Sequence, residues 1–595
     1  MRWIFPKTQP DLQAADRLRR ELNLAPLVAR LLTIRGFSDP AAADRFLHPK
    51  LDHLHDPRLL ADMGKAVERL RRAIASREKI LIYGDYDVDG TMAVVVLLTA
   101  LRGLGACVDV HIPHRLTDGY GMRPEVIERA AAEGVHLVVS VDTGVRAHEP
   151  ITRARELGVD CIVTDHHLPE DRLPPAYAIL NPHRSDCAYP NKNLCGVGVA
   201  FKLAQTVLGI SEAGNALSSA VAAGTAGVAA APGMGVAAAR STQLLESYLK
   251  IVALGTIADV VPLTGENRVI AYFGLDGLRR AAAPGLRALI EVCGIGRGEV
   301  VTAGHVGFQL APRLNAAGRM ESARDVIDLF TSRDATLASE IAARLDRLNQ
   351  ERQQVEEAIT DCAVERLETQ PGHAQRYSLV CAGDGWHRGV IGIVAQRLAE
   401  RYYRPALVIG IENGEGVGSG RSISGFHLLK ALESAADLFT RFGGHAQAAG
   451  FTLESGRIPE LETRFEAFAR TVLKPEDLEP ALRIDTEIHL TDLDGPVYEQ
   501  LQGLGPHGMG NPSPVFCARG LRIVAPPRVL KEKHLKMRVA QGSRAFDALA
   551  WNWAPRAAEF PEGQRVDAAF TLAENTFQGI TTVNLELKDM RAAAH

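Results

Sequence analysis

The sequence has few cysteines and little net charge, and each shortage argues against a particular class of protein. Its 595 residues include eight cysteines and no Cys-x-x-Cys pair, which argues against a zinc ribbon or a disulfide framework and favours a reducing compartment. The net charge is -4, so any nucleic-acid binding must rest on local basic patches. The first residues lack the apolar run of a signal peptide. We therefore expect a cytoplasmic protein.

A long stretch without charge, Ala213 to Ala239, superficially resembles a membrane span. It consists mostly of Ala, Gly and Ser and contains Pro232, and such side chains gain little free energy in a bilayer. We interpret residues 211–240 as a low-complexity insertion between two helices, and we predict no membrane association.

The length predicts several domains rather than one core. The pattern of apolar runs, glycines and prolines divides the chain into five segments. These are an N-terminal helical segment (1–75), an α/β domain (76–332) that includes the insertion, a connecting helix (333–370), a second α/β domain (371–473) and a C-terminal β-barrel (474–590).

Three aspartates follow the first strong strand of the α/β domain. Ile80 to Tyr83 suit a buried parallel strand, Asp85, Asp87 and Asp89 come next at alternate positions, and a helical run begins at Met92. Carboxylates crowded at the carboxyl end of a strand repel one another unless a cation neutralises them, and oxygen ligands favour magnesium or manganese. A solvated acidic loop is the alternative. A calcium-binding EF-hand loop does not fit, because Leu97 occupies the position of the glutamate that closes such a loop.

Two later strands also end in polar clusters. Leu137 to Val141 leads to Asp142, and Cys161 to Thr164 leads to Asp165, His166 and His167. Alternating strands and helices of this length predict a parallel, doubly wound sheet, whose strand ends share one edge. The clusters should therefore meet in one metal site. Asp259, in an apolar segment, is a further candidate that either a metal or a buried hydrogen bond would satisfy.

The second α/β domain contains three glycine-rich stretches with polar tips. Glycine lets the backbone approach a phosphate, and Arg, Ser and His can then donate hydrogen bonds to its oxygens. Structural turns are the alternative reading. The candidate anion-binding residues are His387, Arg388, Ser419, Arg421, Ser422, Gly444 and His445.

The last segment alternates short strands with Gly and Pro turns, as an oligonucleotide-binding (OB-like) barrel does. Basic residues surround one of its strands, with Lys533 and Lys536 as the candidate contacts to nucleic acid. Aromatic side chains could stack on bases, although we expect most of them to form the barrel core. These aromatic residues are Phe516, Phe546, Trp551, Trp553 and Phe577.

Together these motifs resemble the DHH phosphoesterase superfamily, and the order of the segments resembles its bacterial single-strand-specific exonucleases. The resemblance implies a two-lobed DHH/DHHA1 core of α/β class, a long connecting helix and an OB-like barrel. It implies two Mn²⁺ or Mg²⁺ ions, with Asp142 as the bridging ligand and His167 directed at the scissile phosphate. Asp87, His166 and Asp259 would hold one ion, and Asp85 or Asp89 the other.

The same resemblance implies a pocket for the terminal 5′ phosphate, formed by Arg115, Ser419, Arg421 and either Arg313 or Arg319, with Asn315 nearby. The implied activity is hydrolysis of single-stranded DNA from its 5′ end to 5′-mononucleotides, in DNA repair and recombination. Expected partners are single-stranded DNA, a single-strand binding protein and a helicase, and the expected state is a monomer.

Three alternative functions remain. The first is a DHH phosphodiesterase for short oligonucleotides or cyclic dinucleotides, against which the long barrel argues. The second is a haloacid-dehalogenase-like phosphatase with Asp87 as nucleophile, which leaves His166 and His167 without a role. The third is a non-catalytic replication scaffold, which would be expected to have lost metal ligands that are all present here.

Overall fold

A computed structural model describes residues 1–6, 11–115, 118–119, 121–210, 234–577 and 580–593, and side chains outside 234–240, 576–577 and 580–581. Most of the predicted insertion, residues 211–233, and the side chain of Phe577 therefore lie outside the described part. The chain forms two compact units. One contains residues 51–478 and 508–510, and the other contains residues 1–50, 479–507 and 511–595.

The strands, numbered along the chain, are β1 (Arg2–Ile4), β2 (Lys79–Tyr83), β3 (Cys107–His111), β4 (Val135–Val141), β5 (Asp160–Thr164), β6 (Ala178–Leu180), β7 (Leu379–Asp384), β8 (Ala406–Glu412), β9 (Glu415–Arg421), β10 (Phe439–Gly444), β11 (Ala448–Glu454), β12 (Ala481–Arg483), β13 (Thr486–Glu487), β14 (Phe516–Leu530), β15 (His534–Gln541), β16 (Arg544–Ala550), β17 (Arg565–Phe577) and β18 (Ile580–Ala592).

The α-helices of the described residues are α1 (Leu12–Glu21), α2 (Pro26–Ile34), α3 (Pro40–Leu47), α4 (Met63–Ala75), α5 (Val88–Gly103), α6 (Pro124–Ala132), α7 (His148–Glu156), α8 (Gly196–Val207), α9 (Met234–Ala258), α10 (Gly265–Arg279), α11 (Pro284–Val292), α12 (Ala303–His305), α13 (Ala311–Met320), α14 (Arg324–Thr331), α15 (Ala335–Thr369), α16 (Ile391–Tyr402), α17 (Leu428–Glu433), α18 (Ile458–Val472) and α19 (Gly495–Gln502). Within these residues, no helix combines the length and the apolar character needed to cross a bilayer.

The first lobe of the larger unit is built on a parallel sheet with strand order β3-β2-β4-β5-β6. Residues of β2 alternate between two cores: Ile80 and Ile82 pack into one, and Leu81 and Tyr83 into the other. Because helices cover both faces, the strand is apolar at every position rather than at every second one. This explains the uninterrupted apolar run and places the carboxyl ends of β2, β4 and β5 side by side.

The second lobe is a mixed sheet with strand order β10-β11-β9-β8-β7. Two of the glycine-rich stretches belong to strands in the structure and not to turns, the alternative reading: Gly418 to Arg421 lies in β9, and Gly443 to Gly450 spans β10 and β11. Glycine is needed there for packing: a Cβ at Gly418 would lie 2.1 Å from the ring of Phe451. These residues therefore sit on the surface of a sheet.

Helix α15 connects the two lobes. Its 35 residues correspond to roughly 50 Å at 1.5 Å per residue, and Asp334 caps it by accepting hydrogen bonds from the amides of Thr336 and Leu337. Leu345 packs in the core of the first lobe and Ile359 in a core of the second. The helix thus belongs to both hydrophobic cores, as a rigid connector must.

The smaller unit contains a closed five-stranded barrel in the order β14-β15-β16-β18-β17, in which β17 pairs back onto β14. We predicted a single helical segment over residues 1–75, but its residues divide between the two units, and β1 pairs with β12. The reason is hydrophobic: Leu31 and Phe46 of the N-terminal helices share one core with Phe516 and Phe570 of the barrel. The predicted fold class, a two-lobed α/β core with a long connecting helix and a C-terminal barrel, is confirmed.

Candidate active site

The carboxyl ends of β2, β4 and β5 bring together the aspartates and histidines singled out from the sequence. Three overlapping groups have ligand atoms within 4.8 Å of one another: Asp85, Asp87 and Asp142; Asp89, His166 and Asp259; and Asp142, His166 and His167. All six predicted metal ligands occur in these groups. They divide differently from our expectation, since Asp87 lies with Asp85 and Asp142, whereas Asp89 lies with His166 and Asp259.

The turn after β2 is fixed by glycine and by the start of α5. Asp87 is the N-cap of α5 and accepts a hydrogen bond from the amide of Gly90 at 3.0 Å. A Cβ at Gly84 would lie 2.4 Å from the side chain of Val94, and one at Gly90 would lie 2.7 Å from Cβ of Asp85. Only glycine allows this turn, which directs the carboxylates toward the sheet edge.

Asp89 is held by the beginning of another helix. Its carboxylate accepts hydrogen bonds from the amides of Gly196 and Val197, at 2.6 and 2.8 Å, in the first turn of α8. The positive end of a helix dipole favours an anion at this place. A Cβ at Gly196 would also lie 2.4 Å from Oδ1 of Asp142, so this glycine serves two carboxylates.

His166 lies at the centre of the cluster. Its Nε2 is 3.2 Å from Oδ1 of Asp142 and 3.8 Å from a carboxylate oxygen of both Asp89 and Asp259. Burial lowers the pKa of His166 and so favours the neutral form, in which imidazole binds a metal.

His167 has a different environment. Its Nδ1 lies 2.7 Å from Oδ1 of Asp165, which also accepts hydrogen bonds from the amides of His166 and His167. Burial lowers the pKa of His167, but the hydrogen bond and charge of Asp165 outweigh it and raise the pKa overall. His167 is thus prepared to carry a proton.

The electrostatics of the cluster fit a divalent cation. Burial, followed by the charge of Asp87, raises the pKa of Asp85 to about 8. Burial, followed by the charges of Asp89 and Asp87, raises the pKa of Asp259 to about 9. Within the described residues, Oδ1 of Asp85 and Oδ1 of Asp142 are buried without a hydrogen-bond partner. Oxygen and imidazole ligands with unsatisfied negative charge match manganese or magnesium.

A cluster of arginines lies beside the carboxylates. The guanidinium of Arg115 lies 4.8 Å from the centre of the Tyr86 ring, and Arg421 donates a hydrogen bond to Oγ of Ser419 at 3.2 Å. Burial, followed by the charges of nearby Arg115, Arg352 and Arg421, lowers the pKa of Arg319 to about 10. Buried cations that repel one another in this way would be stabilised by an anion, as the predicted phosphate site requires.

The sequence did not decide whether Arg313 or Arg319 belongs to the predicted phosphate pocket, and the structure places these two arginines in different surroundings. Arg319 lies with the arginine cluster and donates a hydrogen bond to the carbonyl of Gly389 in the second lobe, at 2.9 Å. Arg313 instead forms an ion pair with Asp346 of α15, at 2.8 Å. Asn315 accepts a hydrogen bond from the amide of Val88 and so supports the start of α5.

The remaining candidates of the second lobe differ in position. Gly444 and His445 line a cavity of about 740 Å³ together with His167 and Arg146. Nδ1 of His387 accepts a hydrogen bond from the amide of Gly389. The other two candidates are engaged locally: Arg388 pairs with Glu412, and Ser422 donates a hydrogen bond to the carbonyl of Phe426.

Lys533 and Lys536 lie in the other unit, on the barrel. Nζ of Lys536 lies 2.9 Å from the carboxylate of Asp547. Among the aromatic candidates, Phe516 is buried and Trp551 is half exposed, with its ring nearly perpendicular to that of His534 and the ring centres 4.7 Å apart. Trp553 stacks on Phe560 within the barrel.

Models of three domains match the chain. The DHH family N-terminal domain matches residues 79–226, the DHHA1 domain matches residues 375–471, and the RecJ OB domain matches residues 484–589.

Relatives with these domains match over nearly the whole chain. The single-stranded-DNA-specific exonuclease RecJ of Bacillus subtilis is 38% identical over 594 residues, which cover 99% of this chain and 70% of that protein. The RecJ of Escherichia coli is 35% identical over 580 residues, and the match covers 94% of this chain and 94% of that protein. The chain belongs to the RecJ family. The resemblance inferred from the motifs is thus confirmed.

Solved RecJ structures share the fold. The structure of Thermus thermophilus RecJ in complex with Mn²⁺ matches with a TM-score of 0.81 at 29% identity, and the match covers all of this chain and 80% of that one. A structure of exonuclease RecJ bound to manganese matches with a TM-score of 0.57 at 32% identity, over 73% of this chain and 98% of that one.

Sequence reasoning missed three supporting features of this RecJ-family site. Gly196 gave no signal because nothing in its local pattern shows that its amide meets Asp89. Asp165 was grouped with the histidines, but its contact with Nδ1 of His167 depends on side-chain geometry. Arg352 gave no signal because it is one of many charged residues in the connecting helix, although it is buried in the structure.

Proposed function

We propose that this protein is a metal-dependent exonuclease specific for single-stranded DNA, which degrades a strand from its 5′ end and releases 5′-mononucleotides. The observation that carries the proposal is the arrangement of two neighbouring clusters in one unit. Carboxylates and histidines that could hold metal ions lie beside buried arginines that could hold a phosphate. The RecJ relatives are named as single-stranded-DNA-specific exonucleases.

Two divalent cations fit the carboxylate cluster. Asp85, Asp87 and Asp142 would hold one, and Asp89, His166 and Asp259 the other, with Asp142 close enough to His166 to contribute to both. When bound, Mn²⁺ or Mg²⁺ ions activate the attacking water and neutralise the charge that develops on the phosphodiester. RecJ structures with each of these ions support this choice.

The residues of the chain itself supply orientation and a proton. Asp165 holds Nδ1 of His167 and raises its pKa, so that His167 can donate a hydrogen bond to an oxygen of the scissile phosphate. His445, from the second lobe, faces the same cavity as His167 and could contact the same strand. Both side chains would thus stabilise negative charge on the reacting phosphate.

The arginine cluster gives the reaction its direction. Arg115, Arg319, Arg421 and Ser419 would bind the terminal 5′ phosphate and place the next phosphodiester at the carboxylates. Hydrolysis then breaks the bond between that phosphorus and O3′ of the terminal nucleotide. The mononucleotide leaves with its original 5′ phosphate, and the strand keeps a new one.

The barrel would guide the strand. The RecJ OB domain model matches it, and OB-folds bind single strands by stacking and by contacts to phosphates. Trp551 is half exposed for stacking, and Lys533 and Lys536 supply positive charge. We further expect a cytoplasmic monomer that acts in DNA repair and recombination with a single-strand binding protein and a helicase.

The test is Mn²⁺-dependent digestion of 5′-labelled and 3′-labelled single strands beside a matching duplex, with dinucleotide and cyclic-dinucleotide controls. The proposal predicts release of labelled mononucleotide from the 5′ end of the single strand, gradual shortening of the 3′-labelled strand, and an intact duplex. Activity confined to the short substrates would overturn it and indicate a small-molecule phosphodiesterase.

A further inference from the structure

A buried side-chain amide at the start of α10 joins two loops of the first lobe. Asn267 is 1% exposed and lies in the first turn of that helix. Its Nδ2 donates hydrogen bonds to the carbonyls of Asn193 and Pro262, at 2.6 and 3.1 Å, and its Oδ1 accepts one from Nδ2 of Asn191 at 3.0 Å. A side-chain amide has two donor hydrogens, and here each of them binds a different loop. One side chain thus holds the two loops together.

Each loop carries one part of the metal-ligand cluster. Asn193 stands three residues before Gly196, whose amide donates a hydrogen bond to Asp89 at 2.6 Å. Pro262 stands three residues after Asp259. The spacing between the loops therefore contributes to the distance between the carboxylates of Asp89 and Asp259.

These two carboxylates need to be held in place. An oxygen of Asp89 and an oxygen of Asp259 each lie 3.8 Å from Nε2 of His166. Two like charges at such distances repel each other, and burial leaves little water to screen them. Asp89 is fixed by helix amides, whereas Asp259 lies where the chain leaves α9 and turns at Val260, with a φ of 58°. The hydrogen bonds of Asn267 oppose a movement of this turn away from Asp89.

The first turn of α10 has a rigid support of its own. The side chains of Glu266 in α10 and Lys202 in α8 are fully buried, and their charged atoms lie 2.6 Å apart. Tyr189 also donates a hydrogen bond to Glu266, at 2.8 Å. Breaking a buried ion pair is costly, so this turn stays fixed relative to α8. The backbone of Asn267 therefore keeps a constant position relative to the helix whose first turn holds Asp89.

We infer that Asn267 is a positioning residue for the divalent cation of the Asp89, His166 and Asp259 group, on which it acts through the two loops without touching the ion. The inference rests on the proposed function, because it requires the metal site. Removing a residue that orients metal ligands typically lowers the affinity for the metal by about 10- to 100-fold. The other proposed ion has its ligands on the segments that follow β2 and β4, outside both loops.

Calorimetric titration of the metal-free protein with Mn²⁺, in the absence of DNA, measures the Kd of both sites. Asn267→Ala should weaken the binding of one ion about tenfold and leave the other Kd unchanged. Asp259→Asn removes a ligand of the same group and so identifies which binding step is affected. Asn191→Ala, a milder change that removes the donor to Oδ1 of Asn267, should weaken the same step about threefold.

Asn511→Ala is the matched control. Asn511 is a buried asparagine of the smaller unit, and its Nδ2 also donates to two carbonyls, those of Leu504 and Pro506, at 2.8 and 2.9 Å. Both alanine variants lose the same kind of hydrogen bonds, so both should lower the unfolding temperature of the metal-free protein to a similar extent. Only Asn267→Ala should change the binding of Mn²⁺.

Unchanged Kd values for both ions in folded Asn267→Ala would overturn the inference, because the amide would then only stabilise the fold. Equal weakening of both ions, or a wild type without a binding step that Asp259→Asn affects, would overturn it as well. If Asn267→Ala does not fold, the Kd values of Asn191→Ala decide in the same way. A wild type that binds two Mn²⁺ ions but fails to digest single strands contradicts the proposed function and leaves the role of Asn267 supported.

Discussion

At the scale of single residues, Asp142 shows the clearest sign of function. It is 2% exposed, it has a φ of 58°, and its Oδ1 has no hydrogen-bond partner within the described residues. Each feature costs free energy in the folded protein, since an aspartate rarely adopts this backbone conformation and a buried carboxylate needs compensation. Backbone strain of this kind is concentrated at functional sites, where the strained residue takes part in binding or catalysis.

We therefore expect Asp142→Ala to lower the rate of hydrolysis by at least about a thousandfold. Binding of single strands should remain close to that of the wild type, because the arginine cluster and the barrel are untouched. Rates and Kd values on one labelled strand give both quantities. Asp109→Ala, which removes a half-exposed carboxylate of β3, is the matched control and should leave both unchanged. Loss of binding without loss of turnover would instead indicate a structural role.

The raised pKa values of Asp85 and Asp259, to about 8 and about 9, predict how stability depends on pH. A carboxyl whose pKa is raised on folding binds more protons in the folded state than in the unfolded state. The metal-free protein should therefore lose stability as the pH rises from about 4 toward these values. Metal ions favour the ionised forms and should compensate for this loss.

Saturating Mg²⁺ should consequently raise the unfolding temperature more at about pH 8.5 than at about pH 6.5, and a chelator should abolish the difference. Thermal unfolding at both pH values, with and without Mg²⁺, measures it. The double variant Asp85→Asn and Asp259→Asn should show no such dependence. An Mg²⁺ effect of equal size at both pH values would contradict the assignment of these groups as ligands.

At the scale of elements, the first turn of α8 supports two ligands through one glycine. The amide of Gly196 donates to Asp89, while the space that a side chain would fill is taken by Asp142. We expect Gly196→Ala to lower activity by about a hundredfold, because displacement of a positioned group by about 1 Å has effects of this size. Activity and the Mg²⁺ dependence of the rate are the measurements.

The added methyl group crowds Asp142, which destabilises the folded protein, but alanine in a helix is more favourable than glycine by up to about 1 kcal/mol. These two effects oppose each other, so the unfolding temperature of Gly196→Ala should change little. Gly64→Ala in α4, where a Cβ would meet nothing within 4 Å, is the control. It should raise the unfolding temperature slightly and keep full activity. Full activity in Gly196→Ala would show that the carboxylates can move apart without harm.

The elements also show what sequence reasoning can reach. The strand β2 and its carboxylates were predictable, because an apolar run followed by alternating aspartates is a local signal. Strands β9 to β11 were not, since glycine is a poor strand former and Gly418 is needed only because Phe451 packs against it. The metal cluster followed from strand ends, whereas the different surroundings of Arg313 and Arg319 did not, because the ion pair of Arg313 with Asp346 is a contact across 33 residues.

At the scale of the whole molecule, the residues proposed for the chemistry and those proposed for strand binding belong to different units. The metal and arginine clusters lie in the larger unit, and the candidate basic residues of the barrel lie in the smaller one. The first fifty residues belong to the barrel unit, where Leu31 and Phe46 complete its core. A variant of the barrel surface should therefore alter binding of long strands while the chemical step stays intact.

The double variant Lys533→Ala and Lys536→Ala tests this division. It should raise KM for long single strands about tenfold and leave kcat and the rate on trinucleotides unchanged. The slope of log Kd against log salt concentration should decrease by about one for each lysine that binds a phosphate in the wild type. Lys536 should contribute less of this effect, because its Nζ already lies 2.9 Å from Asp547.

Lys588→Ala, which removes a barrel lysine paired with Glu586, is the matched control. If trinucleotide turnover fell together with binding of long strands, the barrel lysines would act on the chemical step, and the separation of the two tasks would be wrong.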